Sequence, residues 1–142
     1  MKLSTTCDSI SRRSVYVASL IGLAILSAEA NPAGGKAQQG TATFNSQGSV
    51  FTIQTSDRAR ISWNSFNIGA GETTTFIQPS SSSIVWNQIN DVNPSQILGN
   101  LNANGYVFLQ NSAGFYVGGQ AAITAHGLIM TCLLYTSPSP RD

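Results

Sequence analysis

Few residues in the central part of this chain could take part in catalysis or metal binding. The carboxylates there are Asp57, Glu72 and Asp91, and they fall in three different segments. His126 is the only histidine, and it precedes Gly127 at an expected turn. Cleavage of acidic polysaccharides, which some repetitive β-proteins perform, needs clustered carboxylates, often with a metal or a basic group. The sequence also lacks metal-ligand spacing, a nucleophile motif and a phosphate loop, so it predicts neither an enzyme nor a cofactor site.

Aromatic residues suggest a different kind of site. Trp63, Trp86, Tyr106 and Tyr116 could form a face that contacts sugars if their side chains were exposed. Trp63 and Trp86 each lie within an apolar strand-like segment, which favours a place in the core for both. Exposure of three or more of these residues on one face would favour glycan binding, whereas burial would leave no such face.

Charge and cysteine content narrow the possible functions further. Between residues 31 and 131 the basic residues are Lys36, Arg58 and Arg60, which balance the three carboxylates. A chain without a basic patch is not expected to bind nucleic acid. The same segment has no cysteine, so its core must hold it without disulfides. Its surface must be built mainly from Asn, Gln, Ser and Thr, which can stack without repulsion in repetitive β-structure.

The first 30 residues predict a secretory signal. Basic residues precede the apolar run Val15–Leu26, which is too short to span a membrane comfortably. The small residues Ala28 and Ala30 flank Glu29 in the pattern of a cleavage site, and we expect cleavage after Ala30. The alternative is an N-terminal membrane anchor.

The last residues do not continue the central pattern. Residues 132–142, CLLYTSPSPRD, look like the translation of a sequencing-library adapter. The alternative is a Ser/Pro-rich linker, and neither would contribute to folding. The sequence therefore predicts a single domain over residues 31–131, between a signal peptide and a non-native tail.

The segment from Ile97 to Thr131 is the most informative for the fold. Asn and Gly divide it into short apolar segments, Tyr106–Gln110, Phe115–Val117, Ala121–Ala125 and Leu128–Met130. Each is long enough for a short strand, and none is long enough for a helix. The breaks carry residues that tolerate left-handed backbone angles. Both a β-sandwich and a chain that coils through three strands per turn fit this pattern.

The upstream half also predicts strands, namely Thr41–Asn45, Val50–Thr55, Thr73–Gln78 and Ile84–Asn90. Gln47–Gly48 is a suitable connection for a hairpin of the first two. Within Arg60–Ile68 two apolar pairs are out of phase, so the chain must bulge or turn at Asn64–Ser65. Ser95 offers the one helix start, because it could cap a single turn through Gln96–Gly99.

Taken together, these residues resemble the N-terminal secretion domain of filamentous-haemagglutinin-like exoproteins, also called the haemagglutination activity or two-partner secretion domain. The resemblance covers nearly all of residues 31–131. Its ordered motifs are ISWNSFNIGAGETTTFIQP at 61–79, SIVWNQI at 83–89, NPSQILGNLNANGYVFLQN at 93–111 and SAGFYVGGQAAITAHGLIMT at 112–131. It implies an all-β fold, a right-handed parallel β-helix (a single-stranded solenoid) with antiparallel capping strands at its N-terminal end.

The resemblance also implies a function. Domains of this family engage the periplasmic domains of a dedicated outer-membrane barrel transporter, cross the outer membrane and fold outside, where they nucleate the β-helix. The expected location is therefore secreted or cell surface. Contacts with host or surface glycans would belong to a downstream passenger. A cysteine-free, weakly charged chain suits passage through a pore, and stacked rungs suit folding from the leading end.

One turn is the strongest candidate for a secretion motif. The family pattern places Asn-Pro-Asn-Gly after a strand that ends in Leu-x-Asn, and here the turn is Asn111, Ser112, Ala113 and Gly114. The outer Asn and Gly match the pattern, whereas the two inner residues differ. We expect Gly114 to have a positive φ angle and Asn111 to bond backbone amides across the corner. The turn could be only a tight corner, or the transporter could recognise it directly.

Overall fold

The computed structural model describes residues 30–133, and within this range it contains twelve β-strands and no helix. The strands are β1 Lys36–Gln39, β2 Ala42–Gln47, β3 Val50–Thr55, β4 Ala59–Trp63, β5 Thr73–Ile77, β6 Ile84–Ile89, β7 Ser95–Ile97, β8 Asn100–Ala103, β9 Tyr106–Asn111, β10 Phe115–Val117, β11 Ala122–Thr124 and β12 Gly127–Thr131. The predicted all-β class is confirmed. The predicted signal, apart from Ala30, and residues 134–142 of the tail lie outside the described range. No helix long and apolar enough to cross a membrane occurs between residues 30 and 133.

The strands form three sheets around a common interior. The first sheet has the order β11-β8-β5-β3-β2, the second β1-β4-β6-β9-β12, and the third β10-β7. The chain visits the sheets in turn and then stacks each strand in parallel on its predecessor. Four rungs result: β3 and β4 in the first, β5 to β7 in the second, β8 to β10 in the third, and β11 and β12 in the fourth. This is the predicted solenoid, and the β-sandwich alternative is excluded.

Antiparallel strands extend the N-terminal end of the solenoid. β2 pairs with β3 through a tight hairpin, in which Gly48 has φ +57°. β1 pairs antiparallel with β4. The side chain of Phe44 on β2 packs edge-on against Trp63, with ring centroids 5.3 Å apart. The predicted hairpin and capping strands are confirmed, and together they form what we call the N-terminal cap.

The interior is built from columns of side chains at equal register. One column of the second sheet aligns Ile61, Asn87, Leu109 and Met130 on successive rungs. Since alternate residues of a strand face opposite sides, the residues directly before and after each of these four in its strand point outward. The hydrophobic core consists of Phe51, Ile53, Ala59, Ile61, Trp63, Phe66, Ile68, Phe76, Val85, Ile89, Ile97, Leu101, Val107 and Leu109.

The chain turns a corner between the two out-of-phase apolar pairs of the first rung. β4 ends at Trp63, and Ser65 forms an isolated antiparallel bridge with Ala33. Phe66 and Ile68 are both fully buried, although their spacing does not continue that of β4. The predicted turn at 64–65 is therefore confirmed, because it redirects the chain from the second sheet toward the third.

The prediction of a helical turn starting at Ser95 is wrong, because Ser95–Ile97 is the strand β7. The backbone N–H of Ser95 donates to the carbonyl oxygen of Gly114 at 3.0 Å, and Ile97 forms a parallel bridge with Ile68. Pairing with the rungs on both sides satisfies this backbone better than one isolated helical turn, which closes few hydrogen bonds.

Candidate functional site

The candidate secretion turn joins the second and third sheets on the third rung. Asn111 ends β9, and Gly114 immediately precedes β10. Gly114 has φ +92°, and its N–H donates to the carbonyl oxygen of Asn111 at 2.9 Å. A β-carbon on Gly114 would meet no atom within 4 Å, so the backbone angle alone is what favours glycine. The predicted positive φ angle is confirmed.

The Asn111 side chain is fully buried and fixes the turn on the rung beneath. Its Oδ1 accepts the backbone N–H of Ala113 at 2.9 Å, which is the predicted bond across the corner. Its Nδ2 donates to Ser95 Oγ at 2.9 Å and to the carbonyl oxygen of Asn93 at 3.2 Å. One side chain therefore closes the turn and ties the third rung to the second.

Burial divides the turn into a hidden part and an accessible part. Ser112 is exposed, Ala113 and Gly114 are half-buried, and Asn111 is 0% exposed. A partner that contacts the folded domain can therefore reach the Ser112 side chain and the local backbone, but it cannot reach the Asn111 amide.

The sequence pattern did not predict that the corner between β6 and β7, which lies beneath this turn, belongs to the site. Asn93 and Ser95 receive the Asn111 side chain, and Asp91 Oδ1 accepts the N–H of Asn93 at 2.9 Å. The two corners follow aligned strand ends, because Ile89 and Asn111 are partners in the register. The matching ends of the two strands could have indicated that their corners stack on each other. The corners differ in length, however, so the stacking is not visible in the sequence.

The four candidate aromatic residues do not share one face. Trp63 is 1% exposed, and its Nε1 donates to Asn87 Oδ1 inside the core at 2.9 Å. Trp86, which was expected in the core, lies half-buried on the outer face of the second sheet. Tyr106 is 37% exposed on the same face, two residues before the register partner of Trp86, whereas Tyr116 is 60% exposed on the third sheet. Of the four, only Trp86 and Tyr106 therefore share a face.

The carboxylates act as acceptors for backbone N–H groups. Glu72 and Asp91 accept within their own turns at 2.7 and 2.9 Å, whereas Asp57 accepts the N–H of Ile84 on the next rung at 3.0 Å. The His126 ring packs edge-on against Tyr106, with centroids 5.0 Å apart. No group of three or more His, Cys, Asp or Glu residues that could hold a metal ion occurs among the described residues.

Known proteins with similar sequences and folds include a secretion domain and two heme/hemopexin-binding proteins. Residues 28–133 match the family described as the TPS secretion domain. The crystal structure of the HMW1 secretion domain from Haemophilus influenzae superposes with a TM-score of 0.73 at 34% identity, over 75% of this chain and 28% of that one.

Two curated relatives are heme/hemopexin-binding proteins of Haemophilus influenzae. The one from strain Rd is 34% identical over 118 residues, which is 82% of this chain. The other is 41% identical over 78 residues, which is 55% of this chain. The chain spans only 13% and 8% of the length of these relatives.

Proposed function

The chain belongs to the family of TPS secretion domains, and from this premise we propose that it directs an exported protein to a cognate outer-membrane barrel transporter. The observation that carries the proposal is the joint match in sequence and fold to a solved secretion domain over 75% of the chain. The transporter's periplasmic domains are the proposed partner. The proposed destination is the cell surface or the medium.

We also propose that the domain nucleates folding of the β-helix. Each parallel strand from β5 onward pairs with the strand one rung earlier, so every rung needs the previous one as its template. The first rung finds its partners in the N-terminal cap, which precedes it in the chain. A chain that emerges from a pore with this end leading can therefore fold in sequence order.

For the candidate turn, its burial supports a structural role. The Asn111 amide makes its three hydrogen bonds inside the protein, so it holds the third rung on the second. Direct recognition of the folded turn would have to use Ser112 and the backbone. We therefore propose that changes at Asn111 affect secretion through stability.

The main experiment expresses the full chain in a Gram-negative host with and without a cognate outer-membrane barrel transporter. We expect the domain in the medium or at the cell surface only when the transporter is present. Equal export without the transporter would contradict the proposed function.

A matched pair of variants tests the role of the turn. Asn87 is also fully buried, and its amide bonds Trp63 Nε1 and the carbonyl oxygen of Phe108. We expect Asn111→Ala and Asn87→Ala to reduce secretion in proportion to their loss of thermal stability. Direct recognition predicts another result: Asn111→Ala would abolish binding to the purified periplasmic domains while the melting temperature stayed at the wild-type value.

The proposed signal can be tested at one position. Cleavage after Ala30 would remove the N–H that donates to Glu72 Oε1 at 3.1 Å. Glu72 would keep its bond from Gly69, so we expect little loss of stability. N-terminal sequencing of the exported protein should begin at Asn31, and a start at Met1 in a membrane fraction would contradict cleavage.

A further inference from the structure

The outer face of the second sheet carries a row of apolar side chains that the core does not use. Trp86, Phe108 and Ile129 are aligned on successive rungs, and we call them the outer row. Ile84 and Tyr106 are aligned with each other two residues earlier on the same strands. Ile84, Tyr106 and Ile129 are 36%, 37% and 51% exposed. A contiguous apolar patch of this kind commonly marks a contact surface.

The outer row is held in a fixed arrangement. The rings of Trp86 and Phe108 stack with centroids 5.2 Å apart and an interplanar angle of 10°. Trp86 Nε1 donates to Gln110 Oε1 at 3.2 Å, which fixes the orientation of the indole. Since rigid aromatic side chains lose little entropy on binding, this arrangement is suited to contact with a partner.

Two arginines stand at the first-rung end of the outer row. Arg60 is the register partner of Trp86 and is exposed, and Arg58 lies in the turn before it. A depression of about 210 Å³ lies between them and is lined by Gln39, Arg58, Ala59, Arg60, Ile84 and Trp86. Asp57 is the nearby acid, with Oδ2 3.8 Å from Arg58 Nε and Oδ1 engaged by the N–H of Ile84. Counting residues 30–133, the depression therefore carries one more positive than negative charge.

Arg58 occupies a backbone conformation that its side chain disfavours. Its φ is +56°, and no other non-glycine residue among those described has a positive φ. Its side chain is 82% exposed, and its one ion pair with a residue between 30 and 133 is the long contact with Asp57. Glycine would suit this backbone better, so an arginine at this position costs backbone strain.

We propose that this depression and the outer row bind an acidic segment of a partner protein, with an aspartate or glutamate between Arg58 and Arg60 and adjacent apolar side chains on Trp86, Phe108 and Ile129. Guanidinium groups bind carboxylates in a bidentate geometry, and the outer row supplies the apolar contact. The proposal rests on the proposed function, because the partner it names is the periplasmic part of the transporter.

The test measures binding of the full chain to the purified periplasmic domains of its cognate transporter, by calorimetry over a series of salt concentrations. We expect the double variant Arg58→Gly/Arg60→Gln to bind at least tenfold more weakly and to lose most of the salt dependence. Trp86→Ala should also weaken binding at least tenfold. Arg58→Gly relieves backbone strain, so its melting temperature should equal or exceed that of the wild type, which separates binding from folding.

Two control variants show whether the effect belongs to this site. Lys36→Gln removes a positive charge from the same sheet outside the depression, and Ile77→Ala removes an exposed apolar side chain from the first sheet. Both should bind as the wild type does. If Lys36→Gln weakened binding as much as the arginine variants do, the effect would come from the net charge of the domain, and the proposed site would be overturned.

The outcomes also separate this inference from the proposed function. If the wild type binds and the double arginine variant binds equally well, only the site is overturned. If the wild type does not bind the periplasmic domains at all, both fail. If the wild type instead binds vesicles of anionic phospholipid and the arginine variants lose that binding, the face contacts a membrane and the protein partner is overturned.

Discussion

The first and fourth rungs differ in how completely they bury equivalent side chains. In one column of the second sheet, Ile61 on the first rung is 0% exposed, whereas Met130 on the fourth is 36% exposed. In the first sheet, Phe51 is 9% exposed and Ile123, at the same register, is 37% exposed. A rung is therefore buried by its neighbours along the axis, and the N-terminal cap provides for the first rung what the fourth lacks within residues 30–133.

The strand edges at the two ends differ in the same direction. On the second sheet, β1 carries Lys36, and its register shifts between Ala37 and Gln39. A charge and an irregular register both discourage further strand pairing at an edge. At the other edge, β12 has neither, and it is in regular register with β9 from Gly127 to Thr131. The fourth rung is thus the end at which another strand can add.

The largest difference in stability should appear when side chains of the same column are truncated to alanine on the third and on the fourth rung. Leu109 is 0% exposed between two rungs, and Met130 follows it in the same column. We expect Leu109→Ala to lower the free energy of unfolding by about 3 kcal/mol and Met130→Ala by about 1 kcal/mol or less, because the cost follows burial. Denaturant unfolding of both variants measures the difference. Equal losses would show that the fourth rung is as well packed as the third.

A charge at the open end should weaken self-association. Ile123 points into the interior column of the fourth rung, where a second copy could stack. We expect the wild type to self-associate and Ile123→Lys to weaken that association at least tenfold, or about 1.4 kcal/mol. Sedimentation velocity over a concentration series measures this. Val92→Lys is the control, because Val92 is 91% exposed at a corner.

A wild-type chain that stays monomeric at high concentration would contradict self-association through the fourth rung. Addition of a further rung after the fourth gives the complementary test. It should abolish self-association, because that rung would cover the exposed column and the edge of β12.

Local patterns in the sequence predicted the elements whose stability is local. The alternation in Val50–Thr55 and the glycines at 48 and 114 predicted a strand and two turns, and the structure contains all three. The order of the strands around the solenoid required the family resemblance, because periodicity alone also fitted a sandwich.

Contacts between rungs explain what the sequence did not predict. β7 contains one apolar residue, Ile97, and it is a strand because its neighbours on adjacent rungs pair with it. Trp86 and Trp63 occur in similar apolar segments, but their positions in the register send one outward and the other into the core. The hydrogen bond from Asn111 to Ser95 depends on corner lengths that no local pattern specifies.

The cost of adding a β-carbon at a positive φ angle, unlike burial, should be the same in the N-terminal cap and in the third rung. Gly48 in the N-terminal cap and Gly114 in the third rung both have positive φ, and a β-carbon on either would meet no atom within 4 Å. We expect Gly48→Ala and Gly114→Ala each to lower the free energy of unfolding by about 1 kcal/mol, from the backbone angle alone. Thermal and denaturant unfolding compare them. A much larger loss for Gly114→Ala would show that its turn also transmits packing between rungs.

The smallest effect is expected from deletion of residues 132–142, which tests whether the C-terminal segment acts as a second cap. Leu133 is 76% exposed, and its carbonyl oxygen accepts a hydrogen bond from Gln110 Nε2 at 2.7 Å. Gln110 is 6% exposed, and deletion of the segment above it would open its amide to water, so the free energy of unfolding should change by less than about 0.5 kcal/mol. Gln110→Ala in the full chain is the control, because it also removes the bond to Trp86. A loss of several degrees in melting temperature on deletion would show that the segment packs on the fourth rung and that the open end is partly closed.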